Sequence, residues 1–434
     1  MLKVLKSALI CKVCFFVTAS TMGQSKEADS LMVQLLNKAT GITRTVVDNP
    51  ETYRLQIIYT QIDRTKKGVE RFKNYYYYFD PNLYFNPASM VKMPLAFLSL
   101  EKLNEMNRPG IDKYTWMKFD SSYPRQVAML RDTTARDGKP TIAHFIKRAL
   151  LISENDPYNR MYQFVGQGES NQRLLKKGYA STRITRQFMG FTEEQNRRTN
   201  GIQFFDAAGN IVYSQSPAFN TDSFRFPSPI LIGDAHIDRN ENKVNGPFDF
   251  TRHNSISLED MQQMLQAVIF PQHTPTERRF NIKEEDRLFL LQYLSQYPSE
   301  TDDPKYDEQV FYDSYVKFFF QDSTHQMPPY LRVFNKVGWA YGFMTDVSYV
   351  VDTRNHIDYF LSATIYVNSD GVVNDSKYDE ETVGFPFFKE VGRIFYEYEL
   401  KRKRTTQPPL NTFSIQYGKR DPKDTRKPIQ VVDN

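Results

Sequence analysis

Two stretches near the start of the chain, residues 53–60 and 69–79, are rich in β-branched and aromatic side chains. They flank a polar segment ending at Gly68, and together predict a β-hairpin. Asn86-Pro87 then interrupts the pattern. From Ser89 to about residue 104, apolar residues fall on nearly every side of a helical projection, which predicts a helix buried on most faces. Residues 105–270 read as mainly helical with long polar loops. One helix is expected over 141–151, ending near Ser153, and the next starts at Asp156-Pro157, with proline in the first turn. Another helix is expected over 258–270, capped by Ser257, and one more over 283–297. Residues 331–336, 345–352 and 359–367 predict three late strands, and 386–400 a terminal helix packing back. No internal repeat is evident.

Early strands, central helices, late strands and a last helix predict an α/β chain of the α+β type. One antiparallel sheet would be flanked by helices, with an inserted all-helical subdomain. The expected domain covers 45–400, with 197–254, rich in Asn, Asp, Gly, Pro and Ser, as an elaborated loop insertion. A site is expected at the seam of the two parts.

The chain has 434 residues, 40% of them hydrophobic, enough for a packed core and far from a disordered composition. No apolar run reaches 18 residues, so no membrane-spanning helix is predicted. Residues 1–23 carry Lys3 and Lys6 ahead of an apolar stretch and read as a signal peptide, with export to the periplasm or beyond. Both cysteines, Cys11 and Cys14, lie inside that segment without the small residue expected before a lipidated cysteine. The mature chain would then have no disulfide and no thiol chemistry. The net charge is +5, of which residues 1–23 supply three lysines and the tail from Lys401 a net +6, so the body is about −4. The run Lys401-Arg402-Lys403-Arg404 could touch anionic lipid or nucleic acid, but four prolines follow and no nucleic-acid motif accompanies it. The tail 401–434 therefore reads as a solvated, flexible end. The six histidines are scattered, with no His-x-x-x-His or His-Glu-x-x-His, so no zinc site and no cofactor are expected.

Three motifs carry candidate chemistry: Ser89-Met90-Val91-Lys92, Ser153-Glu154-Asn155 and Lys336-Val337-Gly338. A serine hydroxyl needs a base to become a nucleophile. Ser89 and Lys92, three apart, share a helix face, and a desolvated lysine near a second cation such as Lys336 can take the proton. Ser314-Tyr315-Val316-Lys317 fits the same pattern, but Ser89 has the context of an apolar helix behind an early hairpin. Ser153 is placed to pass a proton to a leaving nitrogen and Asn155 to orient a substrate amide, although both residue types also favour helix caps. Lys336-Val337-Gly338 sits on an apolar strand, unlike Lys66-Lys67-Gly68 and Lys176-Lys177-Gly178.

In that order the motifs resemble the S-x-x-K, S-D-N and K-T-G set of class A β-lactamases and penicillin-binding proteins over roughly residues 45–400. The resemblance implies an acyl-enzyme on Ser89, with Lys92, Ser153 and Lys336 catalytic and Asn155, Gly338 and Trp339 binding substrate. The backbone N–H groups of Ser89 and Trp339 would form the oxyanion hole. Two departures stand out. The family's loop glutamate, which activates the deacylating water, aligns with Phe188 in Arg183-Ile184-Thr185-Arg186-Gln187-Phe188. Glu193 and Glu194 are the nearby acids that could replace it. Val337 stands where the family has a hydroxyl that helps bind a substrate carboxylate.

The expectation is an exported serine hydrolase, a monomer whose partners are small molecules, acting on a β-lactam or a related amide or ester. A penicillin-binding D,D-peptidase acting on peptidoglycan and an inactive envelope-binding module stay open as alternatives.

Overall fold

The computed structural model describes residues 26–226, 228–321, 324–409 and 415–432. The expected signal peptide lies outside them. The centre is a five-stranded antiparallel sheet made of β1 (Gln56–Arg64), β2 (Glu70–Tyr77), β3 (Leu331–Ala340), β4 (Phe343–Asp352) and β5 (Ile357–Tyr366). Their order is β3-β4-β5-β1-β2. The first and last parts of the chain therefore meet at the β1–β5 pairing, where Tyr59 faces Leu361. Every residue of β4 is buried, because helices cover both faces of the sheet.

Strand alternation divides the sheet between two cores. Ile58, Ile62, Val347 and Phe360 point to one face, against α1 (Lys92–Met106), α2 (Ile142–Leu151), α3 (Asn155–Val165) and α4 (Leu258–Ile269). Ile57, Tyr59, Leu361 and Ala363 point to the other, against α5 (Phe385–Lys401) and two short helices, Ser30–Leu36 and Gly41–Asp48.

The hairpin and the late strands lie where the pattern predicts, with ends shifted by a few residues. One boundary matters for function. Ser89 is not on an α-helix but on a 3-10 turn, Ala88–Val91, and the α-helix begins at Lys92. This start places Pro94 in the first helical turn, where its missing N–H costs no intrahelical bond.

The segment between hairpin and late strands has the expected helical centre, and it also carries strands. Trp116–Phe119, Ile202–Phe205 and Ile211–Gln215 form a three-stranded antiparallel sheet. Residues 231–249 form a small β-arm whose strand Ala235–Ile237 pairs in parallel with Val372–Val373. Thus 197–254, expected as loop, holds several short strands.

The described part of the tail, largely exposed, also makes contacts with the body. Arg402 and Arg404 both bond the buried Glu399, and Arg402 reaches Asp63, which occupies two of the four cations in the basic run. Farther on, Tyr417 meets Ser295 at 2.6 Å, Arg420 donates to the Tyr306 carbonyl at 2.6 Å, and Ile429 pairs with Tyr306. Prolines exclude regular structure from this tail without preventing extended docking.

Candidate functional site

Ser89 is partly exposed at the mouth of a cleft of about 710 Å³ between the sheet edge and the helical part. Three elements converge there: the turn bearing Ser89, the start of α3 with Ser153 and Asn155 just before and at its first residue, and edge strand β3 with Lys336, Gly338 and Trp339. The sequence-predicted set Ser89, Lys92, Ser153, Asn155, Lys336, Gly338 and Trp339 is thereby brought together.

Lys92 is fully buried, and its Nζ lies 2.6 Å from Ser89 Oγ. It also bonds the Ser153 carbonyl and, at 2.8 Å, Asn155 Oδ1. A neutral amine has two N–H donors and one lone pair. In that form, donors directed at these two oxygens leave the lone pair for the Ser89 hydroxyl; in the protonated form the third N–H donates to Ser89 Oγ instead. Burial, and then the nearby Lys336, hold the Lys92 pKa well below the usual lysine range, with Glu154 opposing. Lys336 Nζ donates to Ser153 Oγ at 2.7 Å and to the Val337 carbonyl at 2.8 Å. Burial brings its pKa down to about 7, with Asp346 opposing and Lys317 adding to the fall.

The rival Ser314-x-x-Lys317 pair resolves differently. Ser314 Oγ is buried without a hydrogen-bond partner, and Lys317 Nζ turns to the carbonyls of Leu294 and Val333 and to Asn335 Oδ1. Its lysine is a buried structural group that ties three segments together.

Strain gathers at the cleft. Ala88, Ser153, Tyr341, Asn374 and Ser376 all line it, and all have positive φ without being glycine. These five are among twelve such residues in the described chain, a concentration expected where the fold must hold side chains against local preference. Ser153 and Asn155 are anchored by the residue between them. Glu154 is buried and takes 3.0 and 2.6 Å bonds from Arg148, which also holds Asp132 at 2.9 Å, and it accepts from the Tyr306 hydroxyl.

Close approach at Gly338 sets the position of the strand. A Cβ there would run into the Pro87 carbonyl oxygen and stand 2.9 Å from Met90 Cγ. Gly338→Ala is expected to push β3 off the Ser89 turn, costing about 1–3 kcal/mol of stability. The readouts are the urea midpoint and the rate at which Ser89 is labelled by an acylating probe. A variant with wild-type labelling would refute this role.

The two departures from the resembled pattern have clear structural outcomes. Val337 is fully buried in the apolar core on the far side of the sheet, because alternation turns it away from Lys336 and Gly338. Phe188 stacks on Tyr158 at 4.3 Å between centroids, and Lys92 Nζ stands 5.1 Å from the Phe188 ring centre. Asn159, the further asparagine after the second motif, clamps this position by accepting from Phe188 N at 2.8 Å.

Glu193 and Glu194 are not brought to Ser89. They sit on the short helix Glu193–Asn196, exposed, with Glu193 paired to Arg252 at 2.5 Å and Glu194 to Arg198 at 2.5 Å. They serve the first turn of that helix, where acids are favoured. Among the described residues lining the Ser89 cleft, none is an aspartate or a glutamate. The lining includes Arg186 and His253, which sequence reasoning does not single out. Arg186 is visible there only as part of an aligned loop, and His253 is isolated in sequence.

A sequence model of the beta-lactamase enzyme family matches residues 67–398. Among curated proteins none matches. Solved structures similar to this chain include a beta-lactamase from Sphaerobacter thermophilus DSM 20745, at 12% identity and a TM-score of 0.42, covering 83% of this chain and 98% of that one. L2 complexed with relebactam is 13% identical with a TM-score of 0.45, covering 84% and 97%. A beta lactamase from Xanthomonas campestris pv. campestris str. ATCC 33913 is 10% identical with a TM-score of 0.44, covering 82% and 97%. With the family model spanning most of its length, this chain belongs to the beta-lactamase enzyme family.

Proposed function

We propose that this chain is an exported serine hydrolase of class A type that forms an acyl-enzyme on Ser89 with a β-lactam or a related amide or ester. The observation that carries the reading is the buried Lys92 amine 2.6 Å from Ser89 Oγ, held there by the Ser153 carbonyl and Asn155 Oδ1. Lys92 takes the Ser89 proton as Oγ attacks the carbonyl carbon. The Ser89 and Trp339 N–H groups receive the oxyanion. As the C–N or C–O bond breaks, Ser153 gives its proton to the leaving atom, and Lys336 replaces it through their 2.7 Å bond. Water then attacks the ester carbon and loses a proton, which restores Lys336 through Ser153, while the C–Oγ bond breaks and Lys92 returns its proton to Ser89 Oγ.

A cleft with no carboxylate among its described lining residues favours a slow second half. The same observation supports the reading in which the chain behaves as a penicillin-binding protein, holding its adduct. Intact mass spectrometry after mixing with benzylpenicillin is the test. A single adduct is expected that persists while little penicillin is consumed, and it is absent from Ser89→Ala. Rapid decay with penicillin turnover would mean a true β-lactamase whose base is Lys92 or His253. Labelling that survives Ser89→Ala, or no labelling at all, would sink the acyl-enzyme reading for β-lactams.

A further inference from the structure

The Ser89 cleft opens into a second chamber of about 680 Å³, walled by the β-arm at 231–249 and by the loop that carries Phe191 and Glu193. Arg186, His253, Tyr341 and Asn374 line both spaces and form the threshold. Four arginines and three acids, Glu193, Asp238 and Asp249, border the chamber, and the arginines are not equivalent. Arg197 is satisfied by the carbonyls of Asn220 and Asp222, at 2.9 and 2.6 Å. Arg252 pairs with Glu193. Arg186 is half-buried at the threshold and has no carboxylate within salt-bridge reach among the described residues; its guanidinium meets His253 Nε2 at 2.5 Å. Burial, and then Arg186 itself, push that imidazole down to about 3, so it is neutral and accepts from Arg186. Arg239, exposed on the β-arm, also forms no ion pair among the described residues, and its charge adds to the pressure on His253. Phe224, Phe226 and Phe248 supply apolar walls, with Arg197 and Arg252 lying over the first two rings.

A half-buried guanidinium held by a neutral ring, with no carboxylate in direct contact, has unused donors, which suits planar recognition of a carboxylate. We propose that this chamber is a subsite for the acyl arm of the substrate, an apolar arm ending in a carboxylate that Arg186 and Arg239 receive. The proposal rests on the acyl-transfer reading of Ser89 and names the substrate class of that site: an ester or amide carrying negative charge at a distance from the scissile bond.

The test compares two matched probes, the p-nitrophenyl half-ester of suberic acid and its neutral methyl ester, on the full chain. Wild type is expected to favour the anionic probe in kcat/KM by at least about tenfold over the neutral one, the scale of a charge-assisted hydrogen bond. That ratio should fall toward one in Arg186→Gln and decrease in Arg239→Ala, the exposed site serving as control for folding. A wild-type ratio near one, or a ratio unchanged in both variants, would overturn the proposal. If neither ester is cleaved faster than by Ser89→Ala, the Ser89 reading fails for esters, and calorimetric titration decides the subsite. Saturable binding of monomethyl suberate to Ser89→Ala, weakened about tenfold by adding Arg186→Gln, keeps it; no saturable binding removes it.

Discussion

Lys92→Met is expected to slow acylation of Ser89 by about 10²–10⁴-fold, the usual contribution of a positioned general base. Methionine nearly matches lysine in length and removes the amine that stands 2.6 Å from Ser89 Oγ. The rate of adduct formation under excess probe measures this, and a rate within about threefold of wild type would exclude Lys92 as the base. The pH profile of the same rate is a second readout. Below the lowered Lys92 pKa the amine is protonated and cannot accept, so the rate should rise with pH through that value. Above about 7 Lys336 loses the proton it would supply through Ser153, so the rate should fall. The two lysines interact, and the limbs of the bell belong to the pair rather than to either residue. Lys92→Met should flatten the acid limb and, with the paired cation gone, move the alkaline limb to higher pH.

Arg148→Met is expected to destabilise the fold by about 3–5 kcal/mol, because it removes the guanidinium that pairs with the buried Glu154 and Asp132 and leaves them only neutral hydrogen-bond partners. The urea midpoint should drop with little change in slope. Labelling of Ser89 should slow as well, since Glu154 stands between Ser153 and Asn155 and fixes both. Glu154→Gln in the same chain should recover part of the lost stability by removing one orphaned charge. A full-strength midpoint in Arg148→Met would show that the network contributes nothing net.

Much of the site is legible in the order of residues alone. Ser89-x-x-Lys92, Ser153-Glu154-Asn155 and Lys336-Val337-Gly338 follow one another along the chain, and each motif does reach the same cleft. The false match at Ser314 is visible as a rival, but only packing rejects it, by turning Lys317 to backbone carbonyls. Glu193 and Glu194 are candidates through nearness in sequence to Phe188, and the loop carries them instead to exposed partners. The docking of the tail escapes prediction because it uses isolated contacts such as Tyr417–Ser295, which leave no periodic trace.

The sequence by itself determined the family, the sheet with its covering helices, and the residue types at the reacting centre. Strand alternation, helical burial and motif spacing are local properties, and local patterns record them. Only the tertiary structure decided the state of that centre. The lysine pKa values depend on burial by distant segments and on the approach of a second lysine, Lys336 to Lys92 and Lys317 to Lys336. The lack of a carboxylate among the described residues of the cleft depends on which loops meet there, and so does the pairing of the Arg186 guanidinium with His253 at the threshold of the second chamber. Desolvation and Coulomb energy are set by distances in space, which no spacing along the chain encodes.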